Sequence, residues 1–274
     1  MAQTENKLRI PETLRKVKNI VGVFSAKGGV GKSAISLQIA LALKDKGLKI
    51  GLVDADIYGP SQPVMLNSAA GELKLTQDKV IEPLMKDGIK FISMGLISNE
   101  KMPVIWRGPM VSGAVMQLLS QTEWGELDYL IVDTPPGTGD VQLTLLQRIP
   151  LTSSIVVTTP QKVAISDCKK GIEMINKLNL PISGLIENMS WFQPDETDKK
   201  YYLFGRDGGK ELSEEYSLDL LAQLPLVELT DDENIQNNPI LKKEFVNISD
   251  KLTESIKNLK EKKSAGIPQI NIIQ

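Results

Sequence analysis

The segment AKGGVGKS, residues 26–33, constrains the fold more than any other part of the sequence. The apolar run NIVGVF (19–24) precedes it, and the apolar, helix-length segment KSAISLQIALALKDKG (32–47) follows. A strand that ends in a glycine-rich loop and restarts as a helix is the setting of a phosphate-binding loop. Backbone N–H groups free of side-chain obstruction wrap the phosphates, and the helix N-terminus adds partial positive charge. On this reading Ala26, Lys27, Gly28, Gly29, Val30 and Gly31 form the cradle. Lys32 reaches the β- and γ-phosphates, and the Ser33 hydroxyl holds Mg²⁺. The strict pattern G-x-x-x-x-G-K-[ST] fails only at Ala26, where alanine is tolerated if φ is negative.

Further apolar runs recur along the chain: LKIGLVD (48–54), IKFISM (89–94), YLIVD (129–133), SSIVVTT (153–159) and ISGLIE (182–187). Helix-length segments lie between them, including MVSGAVMQLLSQ (110–121) and DCKKGIEMINKLN (167–179). Near-continuous apolar strands alternating with helices predict an α/β fold, a mostly parallel twisted sheet with helices on both faces. No repeat or Gly/Ser-rich linker interrupts the pattern, so one domain is expected over 18–263, with an N-terminal extension (1–17) and a C-terminal tail (264–274). Order is expected to be weakest over 67–88, over 193–200 and after Lys263. In 248–263, Ile248, Leu252, Ile256 and Leu259 recur at helical spacing among lysines. That stripe suits a membrane-surface helix or, more simply, a last helix packed on the sheet.

A net charge of −2 gives no reason to expect nucleic-acid binding. The polar start MAQTENKLRIPETLRKVKN lacks the apolar core of a signal peptide, and no apolar run approaches the ~18 residues of a membrane span. A cytoplasmic protein without stable membrane insertion is expected. Cys168 is the only cysteine and there is no histidine, which excludes intrachain disulfides and zinc-type ligand sets.

Two more segments fall at the carboxyl ends of predicted strands, where such sheets bind ligands. LVDADIYGPS (52–61) carries Asp54 and Asp56, and LIVDTPPGTGD (130–140) carries Asp133. Asp133, a carboxylate closing an apolar strand, has the Walker B form and can hold Mg²⁺ through water. Gly137 is placed to bring its N–H to the γ-phosphate, making 134–140 a nucleotide-sensing loop. Asp56 is the candidate for orienting the attacking water, with Asp54 supporting it or the metal; without the phosphate loop, either is equally an ordinary strand-end turn residue. Asn188, in LIENMS, offers an amide that matches the N6 donor and N7 acceptor of adenine, and no aspartate follows closely to read guanine. ATP is therefore the expected nucleotide.

Lys27 gives the loop a second lysine in the pattern K-G-G-x-G-K-[ST], which resembles the deviant Walker A class of dimeric ATPases. The resemblance implies that Lys27 crosses to the partner's nucleotide and offsets charge on the transferred phosphoryl group. With MPVIWRGPM (102–110), WGELDYLIVDTPPGTGD (124–140), TTPQKVAISDCKKGI (158–172) and GLIENMSWF (184–192), the chain closely resembles the Mrp-type iron–sulfur cluster carriers over roughly residues 17–240. That family lies within the SIMIBI-type P-loop group that includes MinD and ParA. It implies a homodimeric, Mg²⁺-dependent ATPase that carries a labile cluster at its interface and passes it to apo iron–sulfur proteins. Many members have a small N-terminal domain, which is expected to be missing here.

One part of the family pattern is not matched. The family follows its NMSYF string with C-x-x-C, a pair from each subunit ligating a shared cluster. Here NMSWF is followed by QPDETDKKYYLFG, and an ungapped alignment puts Pro194 and Thr197 where the cysteines would be. With no histidine and one cysteine, a symmetric dimer cannot assemble four conventional ligands. The expectation is an ATPase of cluster assembly without a conventional self-ligated cluster, borrowing ligands from a partner or small thiol if it carries one. The alternative is a MinD/ParA-like positioning or adaptor ATPase, supported only by the lysine-rich C-terminal helix. A small-molecule kinase is disfavoured, because Lys27 and DTPPGTGD suit hydrolysis and no arginine-rich lid is present.

Overall fold

The computed structural model describes residues 10–68, 73–76, 80–97, 108–194, 197–227 and 238–264. Strand β1 (Ile20–Phe24) is buried throughout and runs through the glycine-rich loop into α1 (Lys32–Asp45). The equally buried β2 (Ile50–Asp54) leads to the short α2 (Gln62–Met65). An antiparallel pair, β3 (Lys74–Leu75) and β4 (Ile81–Glu82), precedes a hairpin of β5 (Leu84–Lys86) and β6 (Ile89–Ser93), and α3 (Met94–Ile97) follows. The chain continues with α4 (Gly108–Gln121), β7 (Tyr129–Asp133), α5 (Asp140–Arg148), β8 (Ser153–Thr158) and α6 (Lys162–Lys177). It ends with β9 (Ile182–Glu187), α7 (Gly208–Tyr216), β10 (Leu220–Gln223) and α8 (Pro239–Ser264).

Among the described residues the main sheet has eight strands in the order β10-β9-β8-β1-β7-β2-β6-β5. Every pairing is parallel except β5 with β6, which agrees with the α/β fold expected from the apolar runs. Alternation along β1 divides the core in two. Val21 and Val23 join Ile35, Ile39 and Leu43 of α1 and Ile248, Leu252 and Ile256 of α8. Ile20 and Phe24 face the other way, into a cluster with Val115 and Leu118 of α4, Leu145 of α5 and Ile172 of α6.

Helix α1 is buried around most of its surface because α8 covers the side that the sheet leaves open. The stripe of Ile248, Leu252 and Ile256 is consumed in that contact, each at most 2% exposed, as the packing reading of 248–263 anticipates. No helix among the described residues is long and apolar enough to cross a membrane. Of the segment 67–88, expected to be weakly ordered, residues 69–72 and 77–79 lie outside the described residues and the rest includes β3, β4 and β5. Trp106 and Arg107 of the WRGPM string lie outside the described residues, as do 1–9 of the extension and 265–274 of the tail.

Candidate phosphate-binding site

The loop from Ala26 to Ser33 lies at the carboxyl end of β1, between β7 and β8. Gly29 (φ 78°) and Gly31 (φ 84°) take the left-handed conformation that only glycine adopts without strain. Gly31 caps α1, so the first N–H groups of the helix open toward the loop. Ala26 is not among the residues with positive φ, and its methyl group packs into the core beside α6. Replacement of the first glycine of the pattern is therefore accommodated. Gly28 and Gly29 are exposed, whereas Val30 is buried at 4%.

Beneath the loop is a buried polar cluster. The Lys32 ammonium, 6% exposed, pairs with Asp133 Oδ1 and lies 3.5 Å from the Ser33 hydroxyl. Ser36, one turn along α1 from Lys32, also donates to Asp133 Oδ1 at 3.1 Å. Asp54 and Asp133 are register partners on neighbouring strands β2 and β7, which puts both carboxylates at the same edge of the sheet. Burial, and secondarily the charge of Asp133, pushes the Asp54 carboxyl up to about 7. Asp54 nevertheless accepts from the Ser93 hydroxyl (3.0 Å) and from the backbone N–H groups of Asp56 and Gln62 (both 3.2 Å). The Gln62 amide completes the cluster, donating to the Ser33 carbonyl (2.8 Å) and to Asp133 Oδ2 (3.1 Å).

The remaining predicted residues surround this cluster. The Gly137 N–H donates to the Ser25 carbonyl at 2.9 Å, which holds the 134–140 loop against the phosphate loop. Asn188 approaches the loop from the opposite side, and its amide donates to the Val30 carbonyl at 2.9 Å. Asp56 is 8% exposed, and its Oδ1 accepts from the N–H groups of Tyr58 and Gly59, both at 3.2 Å, in a turn of its own loop. Lys27 is exposed and makes no ion pair with the described residues. Lys32, Ser33, Asp54 and Asp133 thus converge, whereas Asp56 and Lys27 stand apart from the polar cluster. Sequence reasoning missed Ser36, Gln62 and Ser93. The four-residue spacing from Lys32 could have found Ser36; nothing local marks the other two.

A family model described as ParA, NUBPL iron-transfer P-loop NTPase, matches residues 16–260. The chain belongs to this NUBPL-type P-loop NTPase family. It is 48% identical over 214 residues to an iron–sulfur cluster carrier protein of Pseudomonas fragi, covering 78% of this chain and 75% of that one. It is 45% identical over 231 residues to an iron–sulfur cluster carrier protein of Synechocystis, covering 82% of this chain but only 65% of the relative. Among solved structures, a nucleotide-binding protein of Archaeoglobus fulgidus in complex with ADP superposes with a TM-score of 0.69. The two are 29% identical, with 88% of this chain and 90% of that one covered.

For a NUBPL-type NTPase the thiol inventory is small. Cys168 lies in α6, 1% exposed, and burial pushes its thiol up to about 12. It behaves as a core residue rather than as a thiolate ligand. In the 189–204 segment, Phe192 and Tyr201 form an antiparallel bridge with both N–H···O bonds at 2.8 Å. Trp191 is half-buried beneath the Lys200 ammonium, 3.9 Å from the ring centre. The Thr197 N–H donates to the Pro194 carbonyl at 3.2 Å, and residues 195 and 196 between them lie outside the described residues. Phe192 and Tyr201 thus meet at the base of this segment, where Tyr201 and Tyr202 are 40% and 38% exposed.

Proposed function

We propose that the chain is an ATP-binding, Mg²⁺-dependent ATPase that works as a homodimer in iron–sulfur cluster assembly or transfer, without a cluster held by its own thiols alone. The observation that carries the nucleotide reading is the buried Lys32–Asp133 pair at the mouth of α1, beneath a loop whose glycines take positive φ. The donors suit a hard cation: a hydroxyl (Ser33) and a carboxylate (Asp133) lie together, and Mg²⁺ is commonly held by few protein oxygens plus substrate phosphates. When bound, Mg²⁺ neutralises charge on the β- and γ-phosphate oxygens.

The chain's own groups then act as follows. Loop N–H groups and Lys32 take the phosphate oxygens, with Lys32 exchanging its bond to Asp133 for them. Ser33 and Asp133 would hold the metal. Gly137 turns its N–H from Ser25 to the γ-phosphate, Asn188 turns its amide from Val30 to adenine, and Asp56 orients the attacking water. Lys27, exposed at the rim, reaches a partner subunit's nucleotide. Residues 18–263 act as one ATPase unit, a reading supported by the single main sheet that runs from β5 to β10.

A transferred cluster is cargo in this scheme, and the buried Cys168 supports the view that a partner apoprotein, an assembly factor or a small thiol supplies its ligands. The apolar face of α8 is buried on α1, which favours this reading over a membrane-surface helix. The test combines nucleotide calorimetry and phosphate release, with Mg²⁺ or EDTA, with iron and sulfide analysis after anaerobic reconstitution. Mg²⁺-dependent turnover without stoichiometric, chelator-resistant iron is expected. Absence of nucleotide binding overturns the ATPase reading, and stable stoichiometric iron overturns the ligand reading.

A further inference from the structure

Gln62 is fully buried at the start of α2, where three parts of the site meet. Its side-chain amide donates to the Ser33 carbonyl and to Asp133 Oδ2, and its backbone N–H donates to Asp54 Oδ2. Both side-chain partners can only accept, so chemistry fixes the amide orientation: the NH₂ is bonded to them, which leaves Oε1 as the amide's free acceptor. Oε1 is itself buried and has no hydrogen-bond partner among the described residues. A buried amide oxygen without a donor destabilises a fold, and such an atom beside a binding site calls for a donor that arrives with the ligand.

The groups around Gln62 narrow the identity of that donor. Ser33 and Asp133 are the oxygens read above as the metal's ligands, and Mg²⁺ gives up its water reluctantly and keeps several molecules when bound. Metal-bound water is a strong donor and suits a neutral amide oxygen that has no other partner. We propose that Gln62 is a positioning residue for hydrated Mg²⁺: its NH₂ fixes Asp133 and the Ser33 carbonyl, and its Oε1 accepts a hydrogen bond from a metal-bound water. Gln62 also closes the loop that carries Asp56, so it ties the metal to the segment that orients the attacking water. This inference rests on the Mg²⁺–nucleotide reading of the site.

The test titrates a fluorescent ATP analogue into wild type, Gln62→Met and Gln62→Asn, each with Mg²⁺ and with EDTA. Mn²⁺ binding in the presence of ADP is followed in parallel by electron paramagnetic resonance. Gln62→Met is expected to lose about tenfold in Mg²⁺-dependent affinity, the size of one lost hydrogen bond to a charged group, with affinity in EDTA within about twofold of wild type. Its Mn²⁺ affinity falls in parallel, and Gln62→Asn, with the amide one methylene short, falls in between. Equal losses with and without metal, or no loss in either, overturn the proposal. If the Met variant does not fold, the Asn variant carries the same comparison. A wild-type protein without Mg²⁺-dependent binding overturns the nucleotide reading and this inference with it; metal dependence unchanged in the variants overturns this inference alone.

Discussion

The two loop lysines occupy opposite environments, and their substitutions should separate accordingly. Lys32 is buried against Asp133, so Lys32→Ala strands a buried carboxylate. Breaking such a pair costs about 3–5 kcal/mol, so a lowered melting temperature is expected together with lost ATP binding. Lys27 is exposed, and Lys27→Ala is expected to leave melting and binding unchanged while removing most turnover. Unchanged turnover would rule out the trans-acting role. Gly31→Ala tests the loop itself: φ is 84°, and an added Cβ would collide with the Asn188 amide nitrogen. A loss of about 1–2 kcal/mol from backbone strain, together with weaker nucleotide affinity, is expected in melts and titrations.

Among the elements, the fully buried parallel strands were the most legible, because burial on both faces makes them continuous apolar runs. The predicted YLIVD and ISGLIE runs coincide with β7 and β9. Helices were read less well. α6 begins at Lys162 rather than Asp167, since its first turn carries an exposed Val163 that breaks the apolar stripe. β10, four residues long, and α5 went unrecognised for want of a long periodic signal. In the site, Asp54 and Asp133 were legible because they end apolar strands. Gln62 was not, because its importance comes from where the chain folds back after β2. Gly171 marks a close helix–sheet contact: a Cβ there would lie 2.5 Å from Phe24 Cε1 of β1. Phe24 is fully buried and cannot retreat, so Gly171→Ala should destabilise by about 1–3 kcal/mol in denaturant titrations. A neutral result would show that α6 can shift off β1.

Across the whole molecule, the two edges of the sheet are held by different chemistry. At the amino edge Asp128 accepts from the Lys18 ammonium and the Lys49 backbone N–H, both at 2.8 Å, tying the approaches to β1, β2 and β7 together. The Lys18 hydrogen bond, followed by that of Lys49, holds its carboxyl below the ordinary value of 3.8. A carboxylate depressed in the folded state adds stability above its unfolded pKa, and loses it as pH falls through the folded one. Asp128→Asn is therefore expected to lower the melting temperature at pH 7, by an amount that reflects less than ~1 kcal/mol for so exposed a pair. The gap to wild type should close below about pH 4, and a gap independent of pH would assign the loss to packing. At the carboxyl edge the polar groups are bonded to one another: Lys32 to Asp133, Gly137 to Ser25, Asn188 to Val30. If these residues bind nucleotide as proposed, its entry is a set of partner exchanges with a nearly constant number of hydrogen bonds. On the proposed nucleotide reading, affinity is a small difference between two well-bonded arrangements, so that a single γ-phosphate would tip the molecule from one to the other.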